Sequence, residues 1–202
     1  MKRLKWILLS LATTALATAN PYAKFSFGYL EPLSEGSSEE DFENTWIPSI
    51  EFGVTLEESP EWSVGFEYSY YYTDYSDSDT LSAYDPDLQG TYSLKEEIEV
   101  HRFIFVLNYE HEIDDQFTFL LSGGLGISMV EQTGAITSPV INVSESDDDT
   151  SLAYQLGVGL GYDVNESIQL SGRARYLGAD ELPMGGDNLT SLVFDLSAKF
   201  TF

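Results

Sequence analysis

Apolar side chains recur at every second position in eight separate stretches of this chain, near 22–30, 45–56, 61–73, 97–110, 117–130, 151–162, 168–178 and 190–202. The last of these is the clearest: Leu192, Phe194, Leu196, Ala198, Phe200 and Phe202 interleave with Val193, Asp195, Ser197, Lys199 and Thr201. A period of two puts one apolar face on an extended strand. Between the stretches, connectors alternate in length. Segments 57–60, 111–116 and 163–167 are short, whereas 31–44, 74–96, 131–150 and 179–189 are long and polar. Short turns at one end and long loops at the other predict an all-β, eight-stranded antiparallel up-and-down barrel.

Alternation alone does not say whether the apolar face points into a core or out to lipid. A soluble eight-stranded barrel would show the same period with a polar, solvated exterior. The composition of the opposite face separates the two. It reads Ser49, Glu51, Gly53; Ser63, Gly65, Glu67; Ser122, Gly124, Gly126, Ser128; Gln155, Gly157, Gly159, Gly161; Gln169, Ser171, Arg173, Arg175. So much glycine and serine suits a narrow lumen better than a solvated surface. Lys24, Arg102, Arg173, Arg175 and Lys199 all fall on that face, while the long loops hold only Lys95. A lumen must neutralise its own charge. Counted from the short turns and the chain end, Glu51, Glu67, Arg102, Arg173, Arg175 and Asp195 lie at similar heights. They are expected to form one ion-pair belt in the middle of a transmembrane barrel.

Targeting and composition point the same way. Lys2, Arg3 and Lys5 precede an apolar run from Trp6 to Ala17, and Ala17-Thr18-Ala19 offers a cleavage site. Residues 1–19 are expected to be a cleaved signal peptide and 20–202 a single barrel domain. The apolar run is shorter than the roughly 20 residues of a membrane-spanning helix. With no cysteine, an exported chain has no disulfide framework. A net charge of −25 argues against nucleic acid as a partner.

The export signal, the alternating strands and the terminal phenylalanine together resemble the small eight-stranded outer-membrane barrels of the OmpA and OmpX type, over the whole mature length. Gly157-Val158-Gly159-Leu160-Gly161-Tyr162-Asp163 and Ile168 to Tyr176 look most like the sixth and seventh strands of that family. The resemblance implies insertion by the barrel-assembly machinery with periplasmic chaperones. Phe194, Leu196, Phe200 and Phe202 would be the C-terminal assembly signal. It implies contact with outer-membrane lipid and lipopolysaccharide, and no further periplasmic domain after Phe202. It also implies a lumen filled by side chains, which places function in the loops or in the barrel as such.

The loops carry most of the acid, including Glu31, Glu35, Glu39, Glu40, Asp41 and Glu43, then Asp74, Asp77, Asp79, Asp85 and Asp87, then Glu145, Asp147, Asp148 and Asp149. Solvation and mutual repulsion account for such segments. Asp85, Asp87, Gly90 and Glu96 also match positions 1, 3, 6 and 12 of a calcium loop. Gln89 departs from that pattern at position five, Pro86 is unfavourable, and no amphipathic helix flanks it. These are the candidate ligands for a loop-bound Ca²⁺; otherwise no cofactor or metal is expected. His101 and His111 are the two histidines, and neither belongs to a nucleophile motif. The expectation is a non-enzymatic surface protein with a structural, adhesive or surface-protective role toward a host or cell-surface ligand. The alternatives are a narrow ion channel and an enzyme acting on outer-leaflet lipid.

Overall fold

The structure, a computed structural model, describes residues 20–33, 44–80, 91–137, 142–179 and 189–202. Eight strands follow in chain order: β1 (Asn20–Leu33), β2 (Thr45–Leu56), β3 (Ser59–Thr80), β4 (Thr91–Glu112), β5 (Phe117–Thr137), β6 (Asn142–Asn165), β7 (Ile168–Ala179) and β8 (Leu189–Thr201). Each pairs antiparallel with its neighbour, and β1 pairs with β8 to close the barrel. Two of the short connections, β4–β5 and β6–β7, are held by side chains that replace missing ladder bonds. Asp114 Oδ1 accepts from the amides of Gln116 and Phe117 at 2.9 and 2.8 Å, and Asn165 Oδ1 accepts from the Ser167 amide at 2.9 Å. The chain ends lie beside these turns, where the Phe202 amide donates to the Pro21 carbonyl and the Thr201 amide to the Ser167 carbonyl, both at 2.9 Å.

The apolar faces point outward. Leu196 is 75 % exposed, Leu125 64 % and Leu156 63 %, whereas Glu51, Glu67 and Arg175 on the opposite face are 1 % exposed. A soluble barrel has the reverse arrangement. Exposed rings pair across neighbouring strands at two heights: Trp62 with Tyr109 and Phe117 with Tyr162 near the short turns, Tyr29 with Trp46 and Tyr70 with His101 towards the other end. From Trp62 to Tyr70 the strand runs roughly 26 Å, about 20 Å along the axis at a typical barrel tilt. That is close to the height of a bilayer's apolar band.

Strands β3 to β6 are much longer than their apolar periodicity predicts, at 22, 22, 21 and 24 residues. Most of 74–96 and 131–150, read from sequence as loop, is hairpin. Its pairing runs on to Thr80↔Thr91 and Thr137↔Asn142. The reason is physical: a hydrogen-bond ladder needs no apolar face once it leaves lipid, so period-two hydrophobicity ends before the strand does. Beyond Ser69 on β3 and Ala153 on β6, no partner strand among the described residues covers the outer edges. The four strands thus rise from the barrel as an open sheet.

Inward glycines mark where neighbouring groups come too close for a side chain. A Cβ on Gly126 would lie 1.9 Å from the Phe103 carbonyl oxygen, whereas one on Gly134, in the projecting sheet, would meet nothing within 4 Å. Gly126→Ala is therefore expected to cost about 1–3 kcal/mol by overpacking, and Gly134→Ala to change stability by less than about 0.5 kcal/mol. The temperature at which the compact, heat-modifiable gel band is lost measures both.

Candidate functional site in the lumen

The polar face converges on the barrel axis, and register decides which charges meet. Glu51 on β2 stands directly opposite Glu67 on β3, and Lys24 on β1 opposite Lys199 on β8. Like charges placed so would repel. Each is instead taken by a partner elsewhere. Lys24 pairs with Glu51, its register neighbour across β1–β2. Lys199 Nζ reaches Glu110 Oε1 on β4 at 2.5 Å, with the ammonium 4.8 Å from the Tyr22 ring centroid.

Arg175 is the hub. Its Nη1 donates to Glu67 Oε1 at 2.8 Å, joining β7 to β3 across the lumen, and its Nε donates to Asp195 Oδ2 at 2.5 Å. Asp195 uses its other oxygen to accept from Arg173 Nε at 3.0 Å, and Arg173 Nη2 extends to Ser26 Oγ at 3.3 Å. A second group forms around Glu51. Its Oε1 accepts from the Tyr22 hydroxyl at 2.5 Å and from Asn108 Nδ2 at 2.9 Å. A cavity of about 20 Å³ between the groups, lined by Tyr22, Lys24, Asn108, Ser122, Arg173 and Lys199, has room for one water.

The six-residue belt read from sequence is thus divided. Glu67, Arg173, Arg175 and Asp195 form one hydrogen-bonded chain, and Glu51 belongs to a separate group with Lys24. Arg102 stands apart from both. Its Nη2 donates to the Tyr154 carbonyl at 2.9 Å, and no carboxylate among the described residues lies within ion-pair distance. The register explains this, because Arg102 faces Ser69 and Ser128 on its two sides while Glu67 sits diagonally away, opposite Ile104. Tyr22, Asn108 and Glu110 were not read as members. Their inward parity was visible, but which strands they reach across the lumen was not.

Sequence reading also missed an apolar layer beyond the charges. Leu30, Ile47, Tyr71, Ile98, Val100, Val130, Leu177 and Val193 form one buried cluster on the side of the long hairpins. The available signal was a lapse of alternation, as in Tyr70-Tyr71-Tyr72, Met129-Val130, Tyr176-Leu177 and Leu192-Val193-Phe194. The described lumen is filled by paired charge at one level and by hydrocarbon at the next.

The remaining candidates fall outside the lumen. His101 lies on the outer face, with Nδ1 2.9 Å from the Tyr68 hydroxyl and its ring against Tyr68 and Tyr70. His111, read as a turn residue, is on β4 and stacks on Tyr109. Glu96 is on β4, hydrogen-bonded by Gln132, while Asp85 and Asp87 lie outside the described residues, as does the 1–19 segment. Among the described residues no three His, Asp or Glu side chains are grouped to hold a metal ion. Phe194, Leu196 and Phe202 are more than half exposed on the outer face, and Phe200 meets Phe25 edge to face at 6.2 Å.

No protein-family model matches the chain, and no curated protein matches it. Solved structures do. Neisserial surface protein A aligns at a TM-score of 0.58 with 14 % identity, over 90 % of this chain and 97 % of that one. The chain has the fold of the small outer-membrane β-barrels. Ail, the attachment invasion locus protein of Yersinia pestis, aligns at 0.50 with 14 % identity over 91 % and 99 % of the two chains. The outer membrane protease OmpT of Escherichia coli aligns at 0.50 with 12 % identity over 91 % and 97 %. At such identities the likeness is one of architecture, and attachment and proteolysis both occur on it.

Removing the hub should expose how the lumen is balanced. Arg175→Met leaves Glu67 and Asp195 short of a cation and is expected to cost about 3–5 kcal/mol. Adding Glu67→Gln to it should recover part of that loss, because the single variant's penalty is mostly an uncompensated charge. Equilibrium unfolding in urea with detergent or lipid present, run as a double-mutant cycle, reads the coupling; strict additivity would contradict the pairing.

Proposed function

We propose that this protein is an integral outer-membrane barrel of a Gram-negative cell, with a non-enzymatic adhesive role carried by its projecting acidic sheet. The observation that carries the reading is the pairing of a filled lumen with a sheet that extends past the apolar band. A lumen blocked by the Arg175 ion pairs and by the layer around Val100 and Val193 gives a narrow channel little support. The reading also takes Phe194, Leu196, Phe200 and Phe202 as the signal read by the assembly machinery, and lipopolysaccharide as the lipid around the upper ring girdle.

The sheet has features suited to binding extended polypeptide. From Asn142 to Thr150 every residue of β6 is exposed, and its outer edge has no backbone partner among the described residues. Glu145, Asp147, Asp148 and Asp149 lie along that edge. On β4, Lys95 and Glu97 pair with each other; their hydrogen bond holds the Glu97 carboxyl below its usual range and the Lys95 ammonium above its own. An open strand edge adds main-chain hydrogen bonds to an incoming strand, and carboxylates select a cationic one. Structural and surface-protective roles draw on the same hairpins without requiring a ligand.

Shortening the β5–β6 hairpin by deleting 133–146 tests this. The variant should keep its heat-modifiable band and outer-membrane fractionation while cells lose most of their retention on an immobilised lysine-rich extended peptide, with retention by the parent falling as salt rises. Unchanged retention would remove the adhesive reading. A steady single-channel conductance in planar bilayers, reproduced by the parent and abolished by no hairpin deletion, would favour the channel instead.

A further inference from the structure

The mid-lumen charges do not balance. Away from the Lys199–Glu110 pair near the short turns, the buried ionised groups among the described residues are Lys24, Arg102, Arg173 and Arg175 against Glu51, Glu67 and Asp195. Every one of those carboxylates is held by a cation, and every cation but Arg102 is held by a carboxylate. Arg102 is 2 % exposed. A guanidinium removed from water without a counter-charge carries a large desolvation penalty.

The groups around Arg102 are also short of acceptors. Its Nη2 reaches the Tyr154 carbonyl on β6, which is not adjacent to β4, so the side chain spans β5. The register sets Ser128 of β5 directly between Arg102 and Ser151 of β6. Arg102 Nε, Ser128 Oγ and Ser151 Oγ are buried and without hydrogen-bond partners, as are Gln155 Nε2, one residue past Tyr154, and Arg175 Nη2. Of the nearby carboxylate oxygens, Glu67 Oε2 has no hydrogen bond, but its carboxylate is already engaged by Arg175 through Oε1, and the serine hydroxyls are neutral. A water accepts few hydrogen bonds and carries no charge; a small anion accepts from several donors and neutralises the guanidinium.

We propose that Arg102, Ser128 and Ser151 hold a monovalent anion of halide size inside the barrel. The apolar layer from Leu30 to Val193 lies on one side of it and the Arg175 ion pairs on the other, so the ion is captured as the barrel folds and does not exchange through the lumen. It ties β4, β5 and β6 together at the level where these strands leave the wall as the open sheet.

Bromide is the probe. The protein is unfolded in urea, refolded in detergent with sodium bromide as the only halide salt, crystallised, and measured at the bromine absorption edge. An anomalous peak in contact with Arg102 Nε and a hydroxyl of Ser128 or Ser151 is expected, and Arg102→Met refolded in the same way should lack it. A second measurement needs neither crystals nor the variant. Protein refolded in sodium gluconate, whose anion is too large for the lumen, should unfold at a temperature lower by at least about 3 °C than protein refolded in bromide. Bromide added to gluconate-refolded protein should not restore the difference until the chain is unfolded and refolded. The proposal is overturned by a water in place of the peak, by Arg102 turned onto Glu67 Oε2, or by equal unfolding temperatures in the two salts.

Discussion

Satisfaction of the backbone inside a wall that faces hydrocarbon is the constraint on which everything else here depends. Apolar surroundings accept no hydrogen bond from an amide, so each spanning strand must be paired on both sides, and the sheet must close on itself. The β1–β8 pairing does this over the run from Tyr22↔Thr201 to Leu33↔Thr190. Once closure is required, strand parity assigns every side chain to lipid or to lumen. The sequence follows with aromatic and branched residues on one parity and small or ionised residues on the other.

A lumen this narrow turns electrostatics into a packing problem. Register sets Lys24 beside Glu51 and Arg173 beside Asp195, but it also sets Glu51 against Glu67 and Lys24 against Lys199, so Arg175 and Lys199 must reach across the lumen to Glu67 and Glu110. Long, multidentate Arg175 satisfies this by engaging β3 and β8 at once, and inward glycines at 157 and 159 leave room for the stems of Arg175 and Arg173, with which added Cβ atoms would collide. The guanidinium's planar fork suits it to bridging two carboxylates where a lysine would hold one. Hydrocarbon beyond Arg102 then fills what charge does not.

Much of this was legible in the chain. Period two located all eight strands, alternating connector length gave the topology, and glycine, serine and charge on one parity gave the inside. Arg173, Arg175, Glu67 and Asp195 were recognisable as inward groups at similar heights. Partner choice was not, because it depends on which side chains cross the axis: Glu67 and Arg175 meet although they lie on strands far apart around the wall. Tyr71, Val100 and Val193 were hidden for a different reason. Apolar residues on both parities look like noise in an alternation and here mean a dry layer. The projecting sheet escaped because apolar periodicity detects lipid contact, and Thr91 or Asp147 pair their backbones without it.

The opposition of Lys24 and Lys199 across the β1–β8 pairing bears on the order in which the wall is assembled. These two strands form the seam, the final junction that brings the ends of the chain together. Two ammonium groups face each other there, and each is quenched by a carboxylate from another strand: Glu51 on β2 and Glu110 on β4. A seam zipped before β2 and β4 had delivered those carboxylates would bury two ammonium groups without a counter-charge, so the closed junction depends on strands that are not both its neighbours.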